Sequence, residues 1–200
     1  MDKRKLAALL DSLPSFPRPK QILEQYTTPG DVAATIAWTM YMKKELNEGW
    51  TADFGCGTGR LAYAASALGG RSVCIDVDLD ALAVSKSIGL DAVNCDATRP
   101  CVKRGVKAIM NPPFGVWKRH ADAEFIKGAA AVADIIYSMH KYTAVEYILR
   151  LAKSLGYKAE LLDVVRIDIP PIFPHHRKRR HRVAVAIVRL ESTFPRRRDP

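Results

Sequence analysis

Short apolar runs alternate along the chain with longer segments in which apolar residues recur at helical spacing. Short apolar runs are typical of strands, and the helical period is typical of helices that bury one side. The runs predict strands over residues 51–55, 72–77, 92–96, 106–111, 135–140, 158–169 and 183–190. The periodic segments predict helices over residues 31–46, 59–68, 80–87, 121–132 and 143–154.

The order of these elements indicates an α/β fold. The first strands show no alternation of apolar and polar residues, as expected of a parallel sheet that helices cover on both faces. No helical segment separates the last two strands, so we expect them to form an antiparallel hairpin. The prediction is a doubly wound, mostly parallel seven-stranded sheet in a single domain over residues 1–200. Residues 1–20 would be an N-terminal lead-in, and residues 191–200 a basic, flexible tail.

Positive charge is unevenly distributed along the chain. Lys and Arg total 31 against 21 Asp and Glu, which gives a formal net charge of +10. Residues 175–200 contain nine of these basic residues and two acidic ones, and so carry +7 of that charge. A dense cationic segment favours a polyanionic partner such as RNA, although a solvated terminal tail would have the same composition.

Other features of the sequence exclude several classes of protein. No apolar stretch approaches the roughly 20 residues of a membrane span, and residues 1–5 lack a secretory signal, so we expect a soluble cytoplasmic protein. Cys56, Cys74, Cys95 and Cys101 form no C-x-x-C pair and no zinc spacing with histidine, so no metal site is predicted. Few Asn and Gln beside abundant Lys, Arg and Glu are typical of thermophilic proteins, which leaves a Cys95–Cys101 disulfide open.

A glycine-rich turn follows the first predicted strand. Gly55, Gly57 and Gly59 permit a tight turn from strand to helix, and free amides at the helix N-terminus then face a ligand. A dinucleotide fold would have its third glycine at position 60, which is Arg60, so a nicotinamide dehydrogenase is disfavoured. The G-x-G-x-G spacing after Asp53 favours S-adenosylmethionine as the ligand, and a purely structural turn is the alternative.

Acidic residues end the second and third predicted strands. Asp76 is placed to accept hydrogen bonds from both hydroxyls of an adenosine ribose. Asp96 is placed to accept one from an adenine amino group, although it could equally cap its own loop. Asp78 and Asp80 are explained more simply, as a turn residue and a helix cap.

The fourth predicted strand ends in Asn111, Pro112, Pro113 and Phe114. The two prolines remove two N–H donors and hold the backbone rigid, which leaves the Asn111 side-chain oxygen and the Pro112 carbonyl as acceptors. Two acceptors that bind both N–H groups of a planar amine would orient its lone pair toward a methyl donor. Phe114 would stack on the same planar group. A plain strand terminator is the alternative.

The segments 53–59 and 111–115 together resemble the signature pair of class I S-adenosylmethionine-dependent methyltransferases that act on planar amines. Residues 23–29, 137–141 and 168–170 are similar to the methyltransferase-like protein 5 family in particular, and the similarity spans about residues 21–190. This resemblance implies a Rossmann-like methyltransferase fold and methylation of N6 of an adenosine in ribosomal RNA. Eukaryotic members of the family work with a small zinc-binding activator subunit, which becomes a candidate partner.

The resemblance also implies roles for individual residues. Gln25 and Thr28 would contact the cofactor from a loop in which Thr27 replaces the family's usual proline. The rest of the cofactor site would consist of Asp53, Gly55, Gly57, Thr58, Gly59, Arg60, Asp76 on the ribose and Asp96 on the adenine. The target base would lie against Asn111, Pro112, Pro113 and Phe114. His140 and Lys141 are candidates for a catalytic or phosphate contact, or for a satisfied pair at the end of a strand.

Three other functions remain open on the sequence. The acceptor motif also occurs with guanine N2 in ribosomal RNA and with the glutamine side chain of a protein, so it does not by itself select the amine. A non-catalytic RNA-binding assembly factor would have a retired cofactor pocket, in which Asp53, Asp76 and Asn111 would have no chemical reason to persist. The basic cluster favours RNA over a protein substrate.

The basic cluster Arg177, Lys178, Arg179, Arg180 and Arg182 is expected to bind RNA backbone phosphates. Replacing Lys178, Arg179 and Arg180 by Ala should reduce the log–log salt slope of single-stranded RNA binding by about 2, because each lost contact accounts for about 0.7. Anisotropy titrations over a range of salt concentrations measure this slope, with S-adenosylmethionine affinity as the control. A wild-type slope in the triple variant would contradict the prediction.

Overall fold

The computed structural model describes residues 1–115, 117–169 and 181–194, and only the backbone of residues 169 and 181. Its strands are β1 (Trp50–Phe54), β2 (Arg71–Asp76), β3 (Asp91–Asn94), β4 (Val106–Met110), β5 (Ala133–Lys141), β6 (Tyr157–Ile169) and β7 (His181–Ser192). Its helices are α1 (Lys3–Ser12), α2 (Gly30–Met42), α3 (Arg60–Ala67), α4 (Leu79–Ser87), α5 (Ala121–Ala130) and α6 (Val145–Ser154), with 3₁₀ turns at Gln21–Leu23 and Tyr142–Ala144. None of the helices within these ranges has the length and apolar composition that crossing a bilayer requires.

The strands form one seven-stranded sheet with the order β3-β2-β1-β4-β5-β7-β6. The pairs from β3 to β5 are all parallel, whereas β7 is antiparallel to both β5 and β6. The predicted doubly wound, mostly parallel sheet with a C-terminal antiparallel hairpin is therefore confirmed. The chain moves outward in opposite directions from β1 and β4, and such a reversal opens a crevice at the carboxyl ends of the two strands.

The central strands are buried on both faces, which explains why their apolar runs lack alternation. On β4, Ile109 packs in one apolar cluster with residues of α1, α2 and α3, while Ala108 and Met110 pack in a second cluster with α5 and α6. On β5, Tyr137 belongs to the first cluster and Ile136 to the second. Helices therefore cover both faces of the sheet, as parallel strands require.

Helix α1 lies in the segment expected as a lead-in, where the sequence predicted no helix. Leu6 and Leu10 are fully buried in the cluster that also contains α2. Asp11 accepts a hydrogen bond from the Gly30 N–H at 2.7 Å. A Cβ on Gly30 would lie 2.4 Å from a backbone oxygen of α1, so the two helices approach this closely only because residue 30 is glycine.

A buried ion pair joins the segment before β1 to the antiparallel part of the sheet. Arg189 on β7 donates to the Glu45 carboxylate at 2.5 Å, and the two side chains are only 10% and 9% exposed. Tyr137 on β5 donates its hydroxyl to the same carboxylate at 2.6 Å. Burial and the nearby Glu45 carboxylate raise the pKa of Tyr137, so its phenol remains a hydrogen-bond donor. Glu191 gives Arg189 a second carboxylate at 2.8 Å.

Removing the Glu45 carboxylate should destabilise the fold, because Arg189 would stay buried with one carboxylate instead of two. We expect Glu45→Ala to lower the free energy of unfolding in urea by on the order of 3 kcal/mol. The matched control is Glu160→Ala, because Glu160 belongs to the same surface region and pairs with Lys43 at 3.9 Å where both are exposed. Exposed pairs contribute about 0–1 kcal/mol, so equal losses in the two variants would contradict this account.

Candidate functional site

A cavity of about 320 Å³ opens at the carboxyl ends of the parallel strands. Its walls come from the turns after β1 to β4, from the start of α5 and from residues 16–28, which we call the N-terminal strap. Three of the predicted site residues, Gly59, Pro112 and Phe114, lie outside the cavity wall. The cavity brings together the other predicted cofactor and acceptor residues, which are Gln25, Thr28, Asp53, Gly55, Gly57, Thr58, Arg60, Asp76, Asp96, Asn111 and Pro113.

The three glycines of the turn between β1 and α3 leave no room for a side chain at their positions. Gly57 has a φ of +54°, and a Cβ there would lie 2.5 Å from the ring of Phe16 in the strap. Gly59 precedes α3 with a φ of +84°, and a Cβ there would lie 2.7 Å from Leu90. Both glycines are therefore required by packing against the protein, and Gly57 in addition lies in the cavity wall.

Asp76 lies at the end of β2 with its carboxylate held by backbone amides. One oxygen accepts from the Gly57 N–H and the other from the Asp78 N–H, each at 2.8 Å. Burial raises the pKa of Asp76, and these two hydrogen bonds oppose that shift. A carboxylate has about four acceptor positions, so two remain for hydroxyl donors from a ligand.

Asp53, at the penultimate position of β1, is the most strongly perturbed carboxyl of the cavity. It is 1% exposed, and one of its oxygens accepts from the Ala62 N–H at 2.9 Å. The other oxygen has no partner within the described part of the chain. Burial raises the pKa of Asp53 to about 8. A buried carboxyl oxygen without a partner, in the wall of a cavity, is suited to a ligand that brings a cationic donor.

Gln25 uses both ends of its side chain within the protein. Its amide nitrogen donates to Asp78 at 2.6 Å, and its amide oxygen accepts from the Lys20 N–H at 2.7 Å. The Lys20 ammonium forms an ion pair with the same Asp78 carboxylate. Burial raises the pKa of Asp78, but the hydrogen bonds from Lys20 and Gln25 outweigh it and hold that pKa below its usual value. These contacts attach the strap to the turn after β2.

Arg60 attaches the strap at a second point. Its guanidinium donates to the Thr28 carbonyl at 2.8 Å and lies 3.5 Å from the Asp11 carboxylate at the end of α1. The family resemblance implied that Arg60 belongs to the cofactor site. The structure shows that its side chain is buried and joins α3 to the N-terminal part of the chain.

Asn111 has its carboxamide held from both sides by the strap. The Tyr26 hydroxyl donates to Asn111 Oδ1 at 2.9 Å, and Asn111 Nδ2 donates to the Thr28 hydroxyl at 3.1 Å. Burial raises the pKa of Tyr26, so the phenol stays protonated and keeps this bond. The ring of Tyr26 also contacts Phe114, with 5.6 Å between centroids. The amide oxygen is thus oriented before any substrate binds.

The loop after β3 contains Asp96 between two cysteines that form a disulfide, Cys95 and Cys101. One oxygen of Asp96 accepts from both the backbone N–H and the hydroxyl of Thr98, each at 2.8 Å. These hydrogen bonds hold the pKa of Asp96 below its usual value, so the carboxylate is ionised. Asp96 therefore caps its own loop and also lies in the cavity wall, and its contact with an adenine amino group stays a prediction.

His140 is fully buried and lies outside the cavity wall. Its Nε2 is 2.8 Å from the Ser138 hydroxyl, and its Nδ1 is 3.3 Å from the Asp122 carboxylate. Both ring nitrogens are therefore satisfied, and the contact with Asp122 attaches the start of α5 to β5. The ammonium of Lys141, the next residue, lies 5.8 Å from the centre of the Phe114 ring.

Four residues of the predicted RNA-binding cluster lie outside the described residues, namely Arg177, Lys178, Arg179 and Arg180. The fifth, Arg182, is near the start of β7, and its Nε donates to Asp168 on β6 at 3.2 Å. The role of the cluster stays a prediction.

Several residues of the cavity wall were not predicted from the sequence. Phe16 and Tyr26 belong to the strap, and Lys118, Glu124 and Phe125 follow the acceptor motif. Tyr26 lies between Gln25 and Thr28 in the segment similar to the family, which was the available signal. Its partner Asn111 is 85 residues away, and local spacing contains no information about such a contact.

The burial of Asp53 should make the protein without cofactor less stable as the pH rises. The folded-state pKa of about 8 exceeds the ordinary value of 3.8, so between these values the folded protein keeps a proton that the unfolded chain releases. This group alone should lower the free energy of unfolding by about 1.4 kcal/mol per pH unit across that interval. Asp53→Asn should remove this component in urea denaturation compared at about pH 5 and 7.

Asp96→Asn is the matched control, because Asp96 lies in the same cavity wall with a lowered pKa and is ionised throughout that interval. Its pH dependence there should equal that of the wild type. An unchanged pH dependence in Asp53→Asn would show that the Asp53 carboxyl is already ionised in the folded protein.

No protein-family profile matches the chain. Among characterised proteins, the chain is similar to the rRNA N(6)-adenosine-methyltransferase METTL5 of Danio rerio, with 30% identity that covers 96% of this chain and 100% of that protein. The rRNA N(6)-adenosine-methyltransferase Mettl5 of Drosophila melanogaster is 31% identical over 94% of this chain and 95% of its own length.

Solved structures show the same relationship. A candidate RNA methyltransferase of Pyrococcus horikoshii is 32% identical with a TM-score of 0.88, over 97% of this chain and 99% of that one. The magnesium protoporphyrin IX methyltransferase of Synechocystis, with bound S-adenosylmethionine, is 12% identical with a TM-score of 0.63, over 96% of this chain and 98% of that one, and thus shares the fold. With relatives this similar along nearly their whole length, the chain belongs to the METTL5 family of methyltransferases.

Proposed function

We propose that the chain transfers the methyl group of S-adenosylmethionine to N6 of an adenosine in ribosomal RNA. The observation that carries this proposal is Asn111 in the cavity wall, with its amide held by Tyr26 and Thr28. The same cavity wall contains Asp53, Asp76 and Asp96, whose carboxyl groups would accept hydrogen bonds from the cofactor. The activity named for the METTL5 relatives of Danio rerio and Drosophila melanogaster supports ribosomal RNA as the substrate.

S-adenosylmethionine, when bound, supplies a methyl group that a sulfonium makes electrophilic. Asp76 would accept the ribose hydroxyls with the positions that Gly57 and Asp78 leave open, and Asp96 would accept the adenine amino group. The unpartnered oxygen of Asp53 would pair with the ammonium of the amino-acid portion. A cation beside Asp53 favours its charged form, and so offsets the cost of burying that carboxyl.

The acceptor residues act on an amine whose lone pair is delocalised into the purine ring. Asn111 Oδ1 has two lone pairs and uses one for Tyr26, so it can accept an N–H of the amine with the other. The Pro112 carbonyl would accept the second N–H, and Phe114 would lie against the base. These residues contribute alignment of the nitrogen lone pair and stabilisation of the positive charge that develops on it.

We extend the proposal to a partner and a compartment. The family resemblance supports a small zinc-binding activator subunit as the partner, and the proposed ribosomal RNA substrate supports a cytoplasmic location. Mixing the purified chain with such a subunit should raise its Tm in a concentration-dependent way, because a partner that binds only the folded chain stabilises it. An unchanged Tm at equimolar and at tenfold excess subunit would argue against this partner.

The decisive experiment for the reaction identifies the methylated nucleoside. The chain is incubated with S-adenosylmethionine labelled in its methyl group and with unmodified ribosomal RNA, which is then digested to nucleosides. Labelled N6-methyladenosine is the expected product. Labelled N2-methylguanosine would show that the acceptor is guanine N2 instead of adenine N6. Label in protein without label in RNA would overturn the proposal.

Replacing Asn111 should impair the chemical step and spare cofactor binding. We expect Asn111→Ala to lower the single-turnover rate by about 10²-fold or more, because it removes an acceptor that acts chiefly in the transition state. Cofactor affinity by calorimetry should stay within about twofold of the wild type.

The matched variant is Tyr26→Phe, which keeps the ring contact with Phe114 and removes the hydroxyl that orients Asn111. Its rate should lie between those of the wild type and Asn111→Ala. A near-normal rate in Asn111→Ala would show that Asn111 does not contribute to methyl transfer.

A further inference from the structure

Large aromatic side chains are exposed close to the acceptor motif. Trp117 is 53% exposed, Tyr142 is 49% exposed and Tyr147 is 39% exposed. Exposure of aromatic rings to water is unfavourable in free energy. A group of exposed rings near one site therefore indicates a binding surface. Three observations connect these rings to the cavity.

The first connection runs through Lys141 at the end of β5. Its ammonium lies 5.8 Å from the centre of the Phe114 ring, which is within the range of a cation–π contact. Tyr142 follows directly in the chain and begins a 3₁₀ turn. The Lys141 ammonium therefore lies beside the aromatic residue of the acceptor motif, and the exposed Tyr142 is its neighbour in the chain.

The second connection runs through the segment between the acceptor motif and α5. Lys118 is part of the cavity wall, and His120, two residues later, has the left-handed backbone that starts α5. The His120 ring contacts the ring of Tyr147 on α6, with 5.4 Å between centroids. A basic and aromatic strip thus extends from the mouth of the cavity to α6.

The third connection anchors Trp117. Its backbone N–H donates to the Glu24 carboxylate at 3.1 Å, and Glu24 belongs to the cavity wall. Trp117 therefore lies where the strap meets the segment after the acceptor motif.

Charge complementarity selects the occupant of this surface. The side chains that it presents are aromatic, basic or histidine. Of the nearby carboxylates, Glu24 accepts from the Trp117 backbone N–H, and two others form ion pairs with neighbouring cations. Glu124 pairs with Lys127 at 2.8 Å, and Glu146 pairs with Arg150 at 2.6 Å. Phosphate attracted by the cations and bases stacked on the rings are the two components of single-stranded nucleic acid recognition.

We propose that Trp117, Lys118, His120, Lys141, Tyr142 and Tyr147 form a stacking surface for the unpaired RNA nucleotides that flank the methylated adenosine. This proposal rests on the proposed function and adds a requirement to it: the target is presented in a single-stranded segment. In a duplex, each base stacks on its neighbours and offers no free face, so paired RNA would contact this surface only through phosphates. The surface thereby selects unpaired sites among many adenosines of the same sequence.

The test measures binding without methyl transfer, so that it does not depend on the reaction. A fluorescein-labelled 15-residue oligoadenylate is titrated by anisotropy, alone and as a duplex with oligouridylate. Trp117→Ala and Tyr147→Ala should each weaken single-strand binding by about tenfold, in keeping with the usual effect of removing one stacked base contact. Lys141→Ala should lower the single-strand salt slope by about 0.7. Duplex binding should be weaker in the wild type and nearly unchanged in both aromatic variants.

Trp50→Ala is the matched control. Trp50 is similarly exposed, but it begins β1 and therefore lies at the amino ends of the parallel strands, whereas the cavity lies at their carboxyl ends. It should leave binding of the single strand unchanged. Wild-type affinity in both Trp117→Ala and Tyr147→Ala would overturn the proposal, and so would equal losses for the single strand and the duplex. If the wild type shows the expected binding pattern but methylates no RNA, the result contradicts the proposed reaction and still supports the proposed stacking surface.

Discussion

The cavity depends on fastening the N-terminal strap across the carboxyl ends of the strands. Two charged contacts do this: Asp78 with Lys20 and Gln25 on one side, and Arg60 with the Thr28 carbonyl on the other. Hydrogen bonds to charged groups are stronger than neutral ones, and the Asp78 and Arg60 side chains are themselves buried. If the strap were released, the cavity would lose the wall that contains Tyr26 and Thr28. The orientation of Asn111 would then be lost as well.

The site is built at a cost in stability that other contacts offset. Asp53 is buried with an oxygen that lacks a partner among the described residues, and Asp76 is buried with its pKa raised. Such groups destabilise a protein without its ligand and are retained at functional sites because the ligand uses them. The packing of α1 on α2 and the pair of Glu45 with Arg189 lie away from the cavity wall. They stabilise the sheet without occupying the site.

Local sequence patterns were sufficient to predict the strands, five helices and the glycine-rich turn, because period, apolar runs and glycine spacing are local properties. They did not identify α1, although Leu6 and Leu10 have the spacing of a buried helical face. The position of Asp76 in the cavity wall was predictable because the residue ends a parallel strand, whereas its role on a ribose stays a prediction. The site was not predictable where a function arises from distant pairing, as with Tyr26 and Asn111. The roles of the Arg60 and Gln25 side chains belong to this second group.

The pairing of Glu45 with Arg189 spans 144 positions of the chain. Contacts of such long range form late, because the closing of a large loop costs entropy before any contact compensates for it. During synthesis, the residues of α1 and α2 emerge early and close together, whereas Glu45 can acquire its arginine only after β7 has been made. Until β7 has been made, the Glu45 carboxylate therefore has no arginine to pair with. The order of synthesis thus makes the last strand the step that completes the fold.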